Sequence, residues 1–117
     1  MLDHFQNPRN PGDVENPDVS VQLENPACGD VMRLTLKVAA GRVSEIRFRA
    51  KGCVPAMACA SAITELIKGR TISEISLVSR EDLISEVGGL PEASSHAAQL
   101  AVDVLAQALR NISNLTR

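Results

Sequence analysis

Two cysteines, an aspartate and a histidine stand at points where the pattern of this 117-residue chain changes. Cys28 lies in Pro26-Ala27-Cys28-Gly29-Asp30, a break just ahead of an alternating run, with Asp30 two residues further on. Cys53 follows Gly52 and opens a helical pattern, and His96 stands at the start of the last helical stretch. Soft thiolate, borderline imidazole and hard carboxylate donors brought to the ends of elements suit zinc or iron–sulfur chemistry better than calcium or magnesium. Each residue also has an ordinary reading. Cys28 could be a small apolar residue, although a Pro-Gly break is a poor place for one. Asp30 alone could be turn chemistry or a strand-edge charge, and a lone His96 near a helix start could simply be a surface residue. Cys53 sits where unpaired N–H groups and the positive end of the helix dipole favour thiolate over thiol, which suits a metal ligand or a sulfur acceptor. Cys59 shares a stripe with Ala56, Ala60 and Ile63 and reads as a buried core thiol. His4 falls in an irregular N-terminal segment with no evident partner.

The elements that must position these residues follow from periodicity. Val19, Val21 and Leu23 alternate with Ser20, Gln22 and Glu24 as a short half-buried strand, which Asn25-Pro26 breaks. Met32, Leu34, Leu36 and Val38 alternate with Arg33, Thr35 and Lys37 as the clearest strand. Ala39-Ala40-Gly41-Arg42 reads as a turn, and Ile46, Phe48 and Ala50 define a third strand of an antiparallel meander. Past Gly52 the period becomes helical through Ala56, Ile63, Leu66 and Ile67, and ends at Lys68-Gly69. Thr71 with Glu74, and Ser79 with Asp82, have the spacing of capping boxes and predict two short helices. Gly88-Gly89-Leu90-Pro91 is a loop. A long amphipathic helix then carries Leu100, Ala101, Val104, Leu105, Ala108 and Ile112 on one stripe, with Ser94 or Ser95 as its cap. Residues 6–17, rich in Asn, Pro and Gly, read as irregular. Strands first and helices after predict an α+β fold: a three-stranded antiparallel sheet, helices packed on one face and a long C-terminal amphipathic helix, all in one domain over residues 1–117.

Composition narrows the function classes. Hydrophobic residues make up 44 %, but Phe5 and Phe48 are the only aromatics, so the core must be aliphatic. A net charge of −2 gives no electrostatic footprint for nucleic acid. No stretch is long and apolar enough to span a bilayer, and the first residues lack the regions of a signal peptide. Three cysteines, an odd count without a secretory signal, point to reduced thiols in a cytoplasm rather than a disulfide scaffold.

Four blocks in order resemble the U-type iron–sulfur cluster assembly scaffolds (IscU-like, and the NifU N-terminal domain). Asp3-His4-Phe5-Gln6-Asn7-Pro8-Arg9-Asn10 is similar to that family's D-H-[YF]-x-N-P-R-N opening, and Ala27-Cys28-Gly29-Asp30 to its A-C-G-D loop. Phe48 through Gly52-Cys53, with Ala58, Ser61, Thr64-Glu65 and Lys68-Gly69, resembles its strand, second cysteine and following helix. Leu90-Pro91 and His96 align with L-P-P-V-K-x-H-C, but Ala97 stands in place of the third cysteine. The family's lysine is Ser94, and its chaperone-recognition run is reduced to Leu90-Pro91-Glu92-Ala93-Ser94. The resemblance implies a ligand set of Cys28, Asp30, Cys53 and His96 for iron or a labile [2Fe–2S] cluster, with zinc possible in the purified protein. It implies a cysteine desulfurase and apo iron–sulfur acceptor proteins as partners, and no enzymatic turnover. Two other roles fit the same residues: a zinc-dependent sulfur-transfer partner of a desulfurase using Cys53, and a degenerate binding module that keeps only the fold.

Overall fold

A computed structural model of the chain describes residues 2–25, 29–90 and 94–115. Eight elements follow one another: α1 Leu2–Gln6, β1 Val19–Asn25, β2 Asp30–Ala39, β3 Arg42–Lys51, α2 Val54–Ile67, α3 Ile72–Ile75, α4 Arg80–Glu86 and α5 Ser95–Leu115. The strands form one antiparallel sheet in the order β1-β2-β3, as the alternation predicts. Asn25 pairs with Asp30 and Val31 with Lys51, so both chain breaks that carry ligand-type residues lie at one end of the sheet.

Alternation decides which side chains enter the core. Met32, Leu34 and Leu36 of β2 are buried together with Val19, Val21, Val43, Ile46 and Phe48. Against this face pack α2, on β3, and α5, on β1 and β2. The α5 stripe is buried as read, from Leu100 to Ile112. Helix α2 differs from the amphipathic expectation. It is buried on nearly every side, from Ala56 to Ile67, because α1, α4, α5 and β3 all pack on it. Its run of alanines lets these neighbours approach closely. Both capping boxes form: Thr71 and Ser79 each accept from the third helical N–H, and Glu74 and Asp82 return the bond.

The N-terminal segment departs most from its reading. Residues 2–6 are helical, and His4 is buried with its Nδ1 hydrogen-bonded to Ser61 Oγ at 2.9 Å. The hydroxyl also accepts from Arg9 N–H at 2.8 Å, and Thr64 Oγ1 donates to Arg9 O at 3.2 Å. These bonds satisfy the two polar side chains that the otherwise apolar α2 buries. The segment then runs along the free edge of β3, where Phe48 N–H donates to Asn10 O and Gly12 N–H to Phe48 O. It goes on across the outer sheet face, where Val14 N–H donates to Thr35 Oγ1 at 2.8 Å.

Candidate metal centre

Asp30 is the first residue of β2 and alternates in phase with Met32 and Leu34, so its carboxylate points into the core side of the sheet, where it is only 2 % exposed. A charge so placed requires strong partners. Two come from the start of α2. Cys53 N–H donates to Asp30 Oδ1 at 3.0 Å, and Cys53 Sγ–H donates to Asp30 Oδ2 at 3.3 Å. Cys53 is the N-cap of α2, but its side chain makes no capping bond and turns to the carboxylate instead. The carboxylate therefore takes up an unpaired N–H at a helix start, where the macrodipole also favours negative charge.

Gly52 makes this approach possible. Its φ is +138°, and a Cβ there would collide with Asp30 Oδ1 and lie 2.8 Å from Asp30 Cγ. The conformational freedom of glycine is therefore used here for close approach of backbone to a charged side chain. The third group arrives from α5. His96, its second residue, places Nε2 3.7 Å from Asp30 Oδ2 while its side chain remains 40 % exposed. One donor atom from each of Asp30, Cys53 and His96 lies within 4.8 Å of the other two. Thiol, carboxylate and imidazole thus converge with Asp30 between the other two. Such a set can hold zinc or iron.

The structure brings three of the four candidate residues, Asp30, Cys53 and His96, together. The fourth, Cys28, lies outside the described residues, as does Pro91. Cys59 is fully buried, and burial, with a smaller effect of nearby Cys53, pushes its thiol up to about 12. It is a core thiol at neutral pH, as its place on the stripe predicts. Ala97, where the family carries a cysteine, is fully buried beside His96. What sequence reasoning missed is His4, which it left without a partner. Besides its bond to Ser61, its Nε2 lies 3.9 Å from Glu86 Oε1. Ser61, an isolated hydroxyl among alanines, was the available signal. His96 also lines a groove of about 460 Å³, together with Asn25, Arg80, Ser95, Gln99 and Asp103 among others.

The family described as the NifU-like N terminal domain matches residues 1–116. The chain belongs to that family. It is 41 % identical over 109 residues to iron-sulfur cluster assembly scaffold protein IscU 1 of Archaeoglobus fulgidus, spanning 93 % of this chain and 71 % of that protein. It is 39 % identical over 115 residues to the IscU scaffold protein of Azotobacter vinelandii, spanning 95 % and 89 %. The fold matches the crystal structure of a NifU-like N-terminal protein from Brucella abortus with a TM-score of 0.80, covering 97 % of this chain and 91 % of that one. At 18 % identity that last likeness is one of fold alone. This NifU-like domain therefore has its Asp/Cys/His group where two chain breaks and a helix start meet at one end of the family sheet.

Proposed function

We propose that this NifU-like domain is an iron–sulfur cluster assembly scaffold or carrier, holding iron or a labile [2Fe–2S] cluster on Cys28, Asp30, Cys53 and His96. The carrying observation is the placement of Asp30 Oδ2 between Cys53 Sγ at 3.3 Å and His96 Nε2 at 3.7 Å. Cys28 enters the set from its position two residues before Asp30 and from the family motif. Thiolates retain iron, whereas an oxygen donor and a neutral imidazole hold it less firmly, which suits cargo that must leave. With Ala97 in place of a third thiol, the retained cluster is short-lived. Zinc fits the same donors and is the expected occupant after aerobic purification. A cysteine desulfurase supplies the sulfur and apo iron–sulfur proteins receive the cluster, in a reducing cytoplasm where the reduced Cys53 and Cys59 thiols persist. The domain performs no turnover of its own.

The test is anaerobic reconstitution with ferric iron and sulfide, followed by visible absorption and decay under a chelator. The chain has no Trp or Tyr, so thiolate-to-iron bands rise over a low near-ultraviolet background. We expect bands that fade within the challenge and are absent in Cys53→Ser. Retention of the same bands by Cys53→Ser would refute the site, and a stable cluster in the parent protein would refute the assigned weakness.

A further inference from the structure

The outer face of the sheet carries an unexpected concentration of like charge. The register sets Arg33 of β2 directly opposite Arg49 of β3, with Thr35 opposite Arg47 and Val31 opposite Lys51. Like charges directly opposed across an antiparallel pair are destabilising. The N-terminal segment offsets this in part. Asp13 Oδ2 accepts from Arg49 Nε at 2.6 Å, and its Oδ1 lies 3.5 Å from Arg33 Nε, which is buried and makes no hydrogen bond. Arg47 is occupied elsewhere, donating to Pro11 O at 3.2 Å.

A groove of about 260 Å³, lined by Gln22, Val31, Arg33, Arg49, Ala50 and Lys51, opens on this face. Three cations (Arg33, Arg49, Lys51) less two carboxylates (Asp13, and Glu24 opposite Val31 on the same face) leave a charge of +1 here, on a chain whose total is −2. Val31 directly follows Asp30, and Lys51 precedes Cys53 by two residues. Neighbours on a strand face opposite ways, so the groove backs onto the same end of the sheet as the Asp30 site.

We propose that this groove docks an acidic, extended segment of a partner protein. Arg49 and Lys51 lie two positions apart on β3, so their stems stand roughly 6.8 Å apart, the spacing of alternate side chains in an extended peptide. A run of Asp and Glu laid along β3 matches that repeat, whereas a single small anion can meet only one cross-strand pair. Asp13 already shows the chemistry, a carboxylate held between two arginines. A partner seated here reaches the end of the sheet where the Asp30 site lies. The inference needs no metal and stands independently of the carrier role.

The test titrates metal-free protein with a fluorescein-labelled hexaglutamate peptide at low ionic strength, with amide NMR shifts to locate it. We expect shifts centred on Gln22, Val31, Arg33 and Arg49 through Lys51. Each of Arg33→Gln and Lys51→Gln should weaken binding about three- to fivefold, the scale of one exposed ion pair. Arg110→Gln, on the distant C-terminal helix, should leave it unchanged. Asp13→Asn removes the internal competitor and should tighten binding, a gain that loss of folding cannot imitate. Weaker binding in Asp13→Asn, or an equal loss in Arg110→Gln, would overturn the proposal. So would displacement by citrate as readily as by unlabelled peptide, which would mark a small-anion site. Tighter binding of single-stranded DNA of equal charge would also overturn it.

Discussion

Replacing Gly52 by alanine tests how the candidate centre is built. Its φ of +138° lies where L residues are strained, a cost of about 1–3 kcal/mol. The new Cβ would collide with Asp30 Oδ1, lie 2.8 Å from Asp30 Cγ and 3.0 Å from Asp30 Cα. The carboxylate can give way only by losing the bond it accepts from Cys53 N–H, worth about 1.5–3 kcal/mol for a charged acceptor. Together these suggest a loss of about 2.5–6 kcal/mol. At about 4 °C per kcal/mol for a domain of this size, the melting temperature falls by roughly 10–24 °C.

The same geometry predicts strong coupling to Asp30. In an Asp30→Ala background two of the three close atoms are gone, and only the φ strain and the contact with Cα remain. The cost of Gly52→Ala should then drop to about 1–3 kcal/mol, a coupling of about 2 kcal/mol in a double-mutant cycle. Thermal unfolding of the four proteins, followed by circular dichroism, measures it. Additive effects within about 0.5 kcal/mol would show that Gly52 does not act through the Asp30 carboxylate, and the account of the site would fail.

Further expectations concern the ligands, the core and the caps. In anaerobic chelator challenge, Asp30→Ala should lengthen the life of a reconstituted cluster by removing its harder donor, and Ala97→Cys should strengthen retention; no gain from the added thiol would mean that no ligand is missing. Cys59→Ala should cost about 1 kcal/mol and leave metal content unchanged, whereas Cys59→Ser should cost more by burying a hydroxyl; metal loss in a folded Cys59→Ala protein would make Cys59 a ligand. His4→Ala should cost about 1–3 kcal/mol and speed limited proteolysis within residues 2–18, because Ser61 Oγ loses its partner; unchanged cleavage would refute that anchoring. Bonds from Ser79 hold the Asp82 carboxyl below its usual 3.8, so the stability that linkage contributes is present above that value and disappears as pH falls through the lower folded one. Ser79→Ala should lower stability at neutral pH, with the gap to the parent narrowing below about pH 4; a gap that widens there would reverse the sign.

How much of this could be read from the sequence depended on the range of the interactions. Met32, Leu34 and Leu36 alternate cleanly because one face of β2 is covered and the other carries Arg33 and Lys37. The Thr71 and Ser79 caps close over three residues and were legible for that reason. The fit of α1 against α2 was not. Five residues hold too little of a helical period to register, and His4 finds Ser61 only 57 residues later. Arg33 and Arg49 likewise read as ordinary solvent-face charges until the register set them opposite each other. Asp30 is the instructive case. Taken alone it fits turn chemistry or a strand-edge charge, whereas its phase with Met32 puts it on the buried face.

A buried aspartate at a strand end is costly unless something holds it, and here its partners are the groups a metal would recruit. Cys53 gives Asp30 both its backbone N–H and its thiol proton. A metal held by Cys53 and Asp30 would take the place of the thiol proton, because a ligating thiol must be deprotonated. The frame rests on three separate supports: the Asn25–Asp30 strand pairing, the start of α2 beneath Gly52, and the start of α5. Each is fixed by its own packing. A frame built in this way by the fold suits cargo that must arrive and leave.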